Sequence, residues 1–320
     1  MDKLSFTAAS TIPAKLFMAD DTAKEVLEHR IKPIHVQTNV TNKCPLKCTF
    51  CSCANMDRNA SIIFDLLKDI SQKLIDLGAR AFTNTGGGDP LAYDHLEAYF
   101  DFLKERGMDI ALVTNGVLFK NYVPTAFQRL TWCRISLSDE RAFRPAEIDS
   151  VIKACNVDWS FSYVLLKKVD IANLIRAIEY ANENNFSHIR VVDDIIGGSN
   201  TMEEIKETLR RHQVDTCRVI WQGRKDYSLG NKQCLMSLLK PNVDVYGNLA
   251  ACCGVQYASD PPMLDFVRRF RTCGPEAIEK TYETQACFDG SGCRRCYYSD
   301  YNNVLNAIWN AGNLKHGNFK

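Results

Sequence analysis

The sequence predicts an α/β protein in which a partial (β/α)6 barrel, TIM-like in architecture, precedes a small cysteine-rich domain. Between residues 34 and 213, short runs of β-forming residues alternate with helical patterns six times. Such a series forms a parallel sheet with right-handed crossovers, and six units fall short of a closed eight-stranded barrel. Beyond residue 213 the alternation ends, and Gly, Pro and Cys become more frequent. We therefore predict an N-terminal extension (1–33), a barrel core (34–225) and a C-terminal domain (226–320).

The elements follow one another with recognisable start and stop signals. The predicted strands cover residues 34–40, 79–85, 108–114, 132–138, 157–166 and 188–194. The predicted helices cover residues 62–77, 92–106, 117–130, 145–154, 171–184 and 202–211. Ser61 is a candidate N-cap for the first of these helices, and Gly78 and Gly107 suit the ends of the first two. A seventh strand-like run covers residues 217–221, residues 243–250 read as a hairpin, and residues 23–30 form an amphipathic helical stretch.

Composition narrows the functional classes. The chain has 320 residues, 46% of them hydrophobic and 24% charged, with a formal net charge of +1. A near-neutral balance disfavours a nucleic-acid partner, and no apolar run is long enough for a membrane span. The start of the sequence lacks an apolar signal core, so we expect a cytoplasmic protein. In that setting, 14 cysteines favour metal or redox chemistry over disulfides.

Four of these cysteines follow the first predicted strand, and three of them have a distinctive spacing. Cys44, Cys48 and Cys51 form a Cys-x3-Cys-x2-Cys pattern in one short loop, with Cys53 close behind. Three thiolates can hold a cubane iron–sulfur cluster and leave one iron without a protein ligand. A zinc loop or a chance group of buried thiols would be the alternatives.

This loop, with aromatic Phe50 just before the third cysteine, resembles that of the radical S-adenosylmethionine (SAM) superfamily. The resemblance implies a 4Fe–4S cluster on Cys44, Cys48 and Cys51 whose open iron binds SAM. The family's Gly-Gly-Glu segment, which binds the methionine amino group of SAM, corresponds to Gly86, Gly87, Gly88 and Asp89 after the second strand. Aspartate in place of glutamate is a departure from the family pattern, which backbone contacts to SAM would tolerate.

Two further strands are expected to contact SAM. Asn115 follows the third strand, at a position that resembles many family members. Ser136 and Ser138 share one face of the fourth strand with Arg134, because side chains alternate along a strand. If that face is the barrel interior, both hydroxyls can meet the ribose or the carboxylate of SAM. The alternative is that Ser138 and Asp139 only cap the following turn.

The carboxyl ends of the last strands are candidates for substrate contact. Asp193 and Asp194 end the sixth strand, where side chains of such barrels often face substrate. An Asx turn or a helix cap would explain these aspartates equally well. Trp221 and Arg224, at the far end of the seventh strand-like run, are further candidates.

A second cysteine group occupies the C-terminal domain. Cys234, Gly247 and Cys252 form a Cys-x12-Gly-x4-Cys arrangement, and Cys293 and Cys296 form a later Cys-x2-Cys pair. The arrangement resembles the opening of SPASM and twitch domains, which carry auxiliary clusters. No cysteine follows Cys296, which indicates the shorter twitch type with one auxiliary 4Fe–4S cluster on those four cysteines. Cys253 could replace Cys252, Cys287 or Cys273 could replace any member, and a zinc site is the alternative.

The resemblance implies the reaction class. Such an enzyme cleaves SAM reductively to a 5′-deoxyadenosyl radical, which abstracts hydrogen from an unactivated carbon of a small polar molecule or a peptide. The auxiliary cluster would transfer electrons in a dehydrogenase- or epimerase-type reaction, and Cys53 or Cys253 would be candidate hydrogen donors in an epimerase. A low-potential donor such as flavodoxin or ferredoxin would supply electrons. A peptide-modifying maturase, a zinc scaffold and an electron-transfer protein without SAM chemistry are the alternative functions.

Overall fold

The computed structural model describes residues 21–194, 202–223, 229–254, 272–293, 296 and 298–311. Its strands are β1 (His35–Thr38), β2 (Ala81–Asn84), β3 (Asp109–Thr114), β4 (Trp132–Ser138), β5 (Asp158–Leu165), β6 (His188–Asp193), β7 (Val219–Gln222), β8 (Asn242–Val243), β9 (Asn248–Ala250) and β10 (Thr272–Cys273). Its α-helices are α1 (Thr22–Leu27), α2 (Phe64–Asp76), α3 (Leu96–Glu105), α4 (Asp149–Ala154), α5 (Ile171–Glu183), α6 (Met202–Arg211), α7 (Met236–Leu239), α8 (Gly274–Glu283) and α9 (Ser299–Trp309).

The chain divides into two compact units that are interleaved along the sequence. Among the described residues, the first comprises Thr38–Phe64 and those from Ala81 to 223, and the second comprises 21–37, Asp65–Arg80 and those from 229 onward. The chain thus passes between the units within β1, at the start of α2, before β2 and after β7. The predicted three-part division at residues 33 and 225 stays a prediction.

The first unit contains the predicted strand–helix series. Strands β2 to β7 lie side by side in sequence order, and each pairs with the next in parallel. Helices α3, α4, α5 and α6 occur between successive strands. This parallel series confirms the predicted fold class. The seventh strand-like run is the strand β7, although it begins at Val219 rather than Cys217.

The two faces of this sheet differ in chemistry, as β5 illustrates. Trp159 Nε1 donates to the Cys155 carbonyl beyond α4 at 3.4 Å, and the rings of Phe161 and Tyr180 on α5 lie 6.1 Å apart. Alternate side chains, including Ser160 and Ser162, therefore point away from the helices. The core of the unit lies on the apolar face, where burial of each large side chain contributes about 1.5–3 kcal/mol.

The second unit contains the predicted hairpin. Strands β8 and β9 pair antiparallel, with Val243 opposite Leu249, and β10 pairs with β9. The turn includes Gly247, whose φ of +79° favours glycine. A Cβ atom on Gly247 would lie 2.9 Å from Leu66 Cδ2 and 3.0 Å from Ile70 Cδ1, so the hairpin turn packs tightly on α2.

The predicted helix at residues 117–130 is wrong. Two short 3-10 helices, Phe119–Asn121 and Pro124–Arg129, occupy that stretch instead. Pro124 stands at the first position of the second one, where its missing N–H costs nothing, but it cannot continue a helix from the residues before it.

The predicted N-cap Ser61 is also wrong, because α2 begins three residues later, at Phe64. The Ser61 hydroxyl lies 2.7 Å from the Thr41 hydroxyl, and the two residues form an isolated antiparallel bridge. The hydroxyl is therefore used to close the loop that contains Cys44, Cys48 and Cys51. Similarly, α3 begins at Leu96 rather than residue 92, because Pro90–Ala92 forms a separate 3-10 turn.

Among the helices in the described residues, none has the length and apolar character needed to cross a membrane.

Candidate cluster and cofactor site

The three cysteines of the first loop lie in one tight turn region of the first unit. All three thiols are free and half-buried. The Cys51 amide donates to the Cys48 carbonyl at 3.2 Å, which folds the two residues into one turn. The Leu46 amide donates to Cys44 Sγ at 3.5 Å, and N–H groups directed at sulfur favour the thiolate form.

Hydrogen bonds between the residues before and after the cysteine loop hold its two ends together. Asn42 Nδ2 donates to the Asp57 carbonyl at 2.9 Å, and the Asn42 amide donates to the Ala60 carbonyl at 2.9 Å. Arg58 donates to the Leu46 carbonyl at 2.8 Å. The guanidinium of Arg58 thereby contacts the loop backbone and places a positive charge beside the thiols.

The loop thiols differ in their readiness to ionise. Burial raises the pKa of Cys44, and burial together with the Glu140 carboxylate raises the pKa of Cys48 to about 11. A hydrogen bond from the Cys53 thiol, assisted by the Cys53 amide and by Arg58, lowers the pKa of Cys51 to about 6. Iron binds thiolates, and its positive charge stabilises them where burial alone disfavours them. The donor set of three thiols on one loop therefore fits a cluster with three protein ligands.

The glycine segment after β2 packs directly against the backbone that leads to Cys44. The Gly88 amide donates to the Thr41 carbonyl, and the Asp89 amide donates to the Lys43 carbonyl, both at 2.8 Å. A Cβ atom on Gly88 would lie 2.1 Å from the Lys43 carbonyl oxygen. Gly86 and Gly87 have φ values of +73° and +68°. Glycine is needed here for close backbone contact with the cysteine loop, independently of the predicted contact with SAM.

Asp89 occupies the centre of a buried hydrogen-bond network. Its carboxylate accepts from the amides of Leu91 at 2.9 Å and Asn115 at 2.7 Å, and from the Thr114 hydroxyl at 2.8 Å. Burial raises the pKa of this carboxyl group, while these donors oppose the increase. The short aspartate side chain thus joins the loop after β2 to the end of β3. Its role in cofactor binding stays a prediction.

Asn115 contacts one of the predicted cluster ligands. Its Nδ2 lies 3.5 Å from Cys44 Sγ, and its Oδ1 accepts from the Val117 amide at 2.9 Å, which fixes the orientation of the side chain. Arg141 donates to the Asn115 carbonyl at 3.0 Å. The residue predicted to contact SAM therefore also supports the cysteine loop.

Glu140 is a residue that the sequence analysis missed. Its carboxylate oxygens accept from the Thr49 amide at 3.1 and 3.2 Å, and one of them also accepts from the Thr49 hydroxyl. Thr49 stands between Cys48 and Cys51, so this carboxylate joins the middle of the loop to the end of β4. A signal was present, because the carboxyl ends of parallel strands meet at one edge and Glu140 follows β4 closely.

The predicted SAM contacts on β4 occupy two environments. Ser138 is buried, and its hydroxyl lies 3.4 Å from the Glu140 amide as a local cap. Asp139 accepts from the Tyr163 hydroxyl at 2.8 Å and from the Leu166 amide at 2.7 Å. Ser136 is half-buried and pairs in register with Ser162, on the face away from the helices. Half-buried Phe50 lies within the cysteine loop itself.

The predicted substrate residues mostly lie on the helix-facing side of the sheet. Asp193 is 2% exposed and pairs in register with Leu165, on the apolar face. The Nζ atom of Lys206, on α6, lies 5.5 Å from the centre of the Trp221 ring, which places Trp221 on that face too. Asp194 is half-buried, and its amide donates to the Leu165 carbonyl at 3.1 Å. Their catalytic roles stay predictions, and Arg224 lies outside the described residues.

The second unit brings several of the later cysteines together. The Cys234 amide donates to the Phe288 carbonyl at 2.9 Å, and Asn302 Nδ2 lies 3.5 Å from Cys234 Sγ. Burial raises the pKa of Cys234 to about 11, and the neighbouring Cys296 and Cys287 thiols add to the increase. Cys234 and Cys296 have the same effect on Cys293, whose pKa burial raises to about 12. Three of the four predicted ligands are therefore neighbours, with Cys287 beside them.

Cys252, the fourth predicted ligand, lies with Cys253 beside the ring of Tyr298. Burial, followed by the Cys253 and Cys252 thiols, raises the pKa of Tyr298 well above its usual value. Tyr298 is two residues from Cys296 in sequence, and the place of Cys252 among the predicted ligands stays a prediction. The side chain of Cys273 lies outside the described part of the chain. A donor set of thiols alone has the chemistry for either an iron–sulfur cluster or zinc, although among the described residues no three Cys, His, Asp or Glu side chains are placed to hold a single metal ion.

Comparisons with known proteins agree with this geometry. A family model described as the radical SAM superfamily matches residues 38–212. Among solved structures, SuiB from Streptococcus suis bound to its precursor peptide SuiA superposes with a TM-score of 0.58 at 15% identity, covering 78% of this chain. Native anSMEcpe with bound AdoMet and Kp18Cys peptide gives 0.53 at 14% identity, covering 88% of this chain and 99% of that one.

The chain spans 66% of the peptide-bound SuiB chain, just under two thirds of its length. SuiB bound to S-adenosylmethionine is also similar, with a TM-score of 0.52, 16% identity, and coverage of 83% of this chain and 77% of that one. At these identities the likeness concerns the fold, which is that of the SPASM/twitch-type radical SAM structures. The family match covers more than half of the 320 residues and includes the loop with Cys44, Cys48 and Cys51. The chain therefore belongs to the radical SAM superfamily, whose members use a 4Fe–4S cluster and SAM.

Proposed function

We propose that this protein is a radical SAM enzyme of the dehydrogenase or epimerase type, with two clusters of different roles. The observation that carries the proposal is the loop of Cys44, Cys48 and Cys51, with Asn115 directed at the first of these thiols. When bound, the cluster and SAM would supply a 5′-deoxyadenosyl radical, which would remove hydrogen from an unactivated carbon of the substrate.

The chain's own residues would position SAM above the loop. The backbone of Gly87 and Gly88 lies against the residues that precede Cys44 and leaves no side chain in the way. Asp89, which follows that segment, is held by three donors: the Leu91 and Asn115 amides and the Thr114 hydroxyl. The interior-facing hydroxyl of Ser136 is available for the ribose or carboxylate of SAM.

The second cluster would bind to Cys234, Cys252, Cys293 and Cys296. Because four cysteines leave no open iron, such a cluster accepts or supplies an electron rather than binding SAM. The neighbourhood of Cys234, Cys293 and Cys296 supports this assignment. There the cluster would supply one-electron oxidation of a substrate radical, which with loss of a proton would give a dehydrogenase outcome. Hydrogen-atom return from a thiol, whose radical the external donor would then reduce, would give an epimerase outcome.

The substrate would be a small polar molecule or a peptide. SuiB and anSMEcpe have been captured with peptides, which supports a peptide-modifying maturase as the second candidate function. A low-potential donor such as flavodoxin or ferredoxin would supply the electrons, and a reducing cytoplasm would suit both clusters and the free thiols.

Site-directed replacement of single cysteines tests the two-cluster proposal. In anaerobically reconstituted protein, Cys44→Ser is expected to remove the electron paramagnetic resonance signal that SAM perturbs, and with it SAM cleavage. Cys234→Ser is expected to remove the other cubane signal and leave the SAM-responsive one. Cys217→Ser is the matched control, because Cys217 is exposed and belongs to neither group.

A colourless zinc protein that does not cleave SAM after reconstitution and reduction would contradict the proposal. Loss of both signals in Cys234→Ser would contradict the separate assignment of the clusters. The substrate and the carbon attacked can then be found by incubating deuterated candidates and measuring label in 5′-deoxyadenosine.

A further inference from the structure

Asn302, on α9, has a fully buried side chain whose carboxamide faces a cysteine. Its Oδ1 atom accepts from the Met236 amide at 3.1 Å, and its Nδ2 atom lies 3.5 Å from Cys234 Sγ. Because a backbone amide can only donate, it requires the oxygen of the carboxamide on the side of Met236. The N–H end of the side chain is therefore directed at the sulfur.

The helix that contains Asn302 is anchored beside Cys234 by a second asparagine. Asn306, one turn further along α9, donates through Nδ2 to the Gln233 carbonyl at 3.0 Å and to the Asn302 carbonyl at 2.7 Å. Gln233 directly precedes Cys234 in sequence. The helix is thus attached next to the cysteine by a contact that does not involve sulfur, and Asn302 adds a donor to the sulfur itself.

The sulfur of Cys234 lies in an environment where one N–H donor has a large effect. Cys234 is 9% exposed. Burial raises the pKa of its thiol, whereas the Asn302 side chain and the Ser237 amide oppose the increase. A hydrogen bond to a charged group is stronger in a buried, low-dielectric site than in water. Donors at this sulfur favour the thiolate, which is the form that binds iron.

The same arrangement occurs in the first cysteine loop. Asn115 Nδ2 lies 3.5 Å from Cys44 Sγ, and the Oδ1 atom of Asn115 accepts from the Val117 amide at 2.9 Å. The radical SAM family model matches the segment that contains this loop. In both units, a backbone amide orients a carboxamide so that its N–H group faces the first cysteine of a set. The recurrence of this arrangement at Cys234 indicates support for a cluster ligand.

We propose that Asn302 is a positioning residue that acts through Cys234 and raises the reduction potential of the auxiliary cluster. The inference rests on the proposed function, because it takes Cys234 as a ligand of the second cluster. Reduction adds negative charge to a cluster and its sulfur ligands, so an N–H donor stabilises the reduced state more than the oxidised state. A higher potential makes the cluster a better electron acceptor, which is the role that a dehydrogenase reaction requires.

Potentiometric titration of the reconstituted full-length enzyme, followed by electron paramagnetic resonance, tests this proposal without turnover. Asn302→Leu keeps the approximate size of the side chain and removes the donor. It should lower the equilibrium constant for one-electron reduction of the auxiliary cluster about tenfold, which corresponds to a potential about 59 mV lower. The SAM-responsive cluster in the same sample should keep its potential and serves as the internal reference.

Asn306→Leu is the matched control, because it removes two hydrogen bonds on the same helix but no donor to sulfur. We expect it to lower the thermal stability measured by circular dichroism and to leave the potential of the auxiliary cluster unchanged. If Asn302 had only a structural role, the two leucine variants would act alike.

Asn302→Asp is a second variant that preserves the size of the side chain and an acceptor for the Met236 amide. Its carboxylate form cannot donate to sulfur and adds a negative charge, whereas its protonated form can donate. The potential of the auxiliary cluster should therefore lie below the wild-type value at high pH and rise toward it as the pH falls. This variant remains informative where Asn302→Leu does not retain the cluster.

An unchanged or raised potential in Asn302→Leu, or an equal decrease in Asn306→Leu, would overturn the proposal. Absence of the pH-dependent decrease in Asn302→Asp, or loss of the auxiliary cluster from both Asn302 variants, would overturn it as well. Failure of the proposed function has a different signature. Absence of an auxiliary signal from the wild-type enzyme, or its persistence in Cys234→Ser, refutes the two-cluster assignment before any Asn302 variant is compared.

Discussion

At the scale of single residues, Glu140 connects the cysteine loop to the end of β4. It accepts hydrogen bonds from both the amide and the hydroxyl of Thr49, and its charge raises the pKa of the adjacent Cys48. A negative charge beside a cluster opposes the addition of an electron. Glu140 is thus expected to lower the reduction potential of the cluster as well as to orient its loop.

Removal of the Glu140 charge should shift the reduction potential of the SAM-binding cluster. Glu140→Gln should raise the reduction potential of the SAM-binding cluster by on the order of 10–50 mV, because one nearby negative charge is removed. Potentiometric titration followed by electron paramagnetic resonance measures the effect. Glu105→Gln is the control, with no shift expected, because the side chain of Glu105 on α3 is exposed. A potential unchanged or lowered in Glu140→Gln would show that the carboxylate does not act on the cluster electrostatically.

At the scale of elements, the glycine segment after β2 and the cysteine loop form one packed pair. The Gly88 position has no room for a side chain, because the nearest obstacle is backbone of Lys43 rather than a flexible side chain. Because Lys43 directly precedes Cys44, displacement of the Lys43 backbone would also move Cys44. The geometry of the loop therefore depends on a glycine that lies more than forty residues away in sequence.

Gly88→Ala should reduce iron incorporation at the first site severalfold, because its Cβ atom must displace the loop. Iron analysis after anaerobic reconstitution measures this. Gly107→Ala is the control: it carries a φ of +72° but nothing lies within 4 Å of its Cβ position, so it should cost only about 1–2 kcal/mol of stability. Iron content equal in the two variants would refute the packing argument.

Most strands of the first unit could be predicted from the sequence, whereas contacts between distant residues could not. The alternation of β-rich and helical runs predicts β2 to β7, and the cysteine spacing predicts which loop binds the first cluster. Both signals are local in sequence. Residues 117–130 form 3-10 helices rather than the predicted α-helix, because Pro124 cannot continue a helix from the residues before it. The bond between Thr49 and Glu140 joins residues 91 positions apart, and no local pattern indicates which strand ends become neighbours.

At the scale of the whole molecule, the two units are interleaved, so neither is a simple segment of the chain. The second unit includes most of β1 and α2, which lie early in sequence. The Ile34 and Gln37 amides donate to the Leu239 and Pro241 carbonyls at 3.0 and 2.9 Å. The barrel series therefore cannot be separated from the C-terminal part by one cut without leaving buried backbone groups unsatisfied.

A fragment ending at residue 226 should accordingly be insoluble or poorly folded. It leaves the Ile34 and Gln37 amides without acceptors and removes the hairpin turn that packs on α2. Soluble yield and circular dichroism measure the effect, with a fragment ending at residue 311 as the control that retains these contacts. A cooperative, soluble fragment ending at residue 226 that still takes up one cluster would contradict this expectation.

The pairing of Cys234 with Phe288 has a consequence for the order of assembly during synthesis. Cys44, Cys48 and Cys51 emerge from the ribosome together, within eight residues, and form a complete donor set in the nascent chain. Cys234 instead meets its structural partners only after residue 288, and Asn302 reaches its sulfur later still. We therefore expect the two predicted donor sets to form in a fixed order, the N-terminal set during translation and the C-terminal set only once the chain is nearly finished.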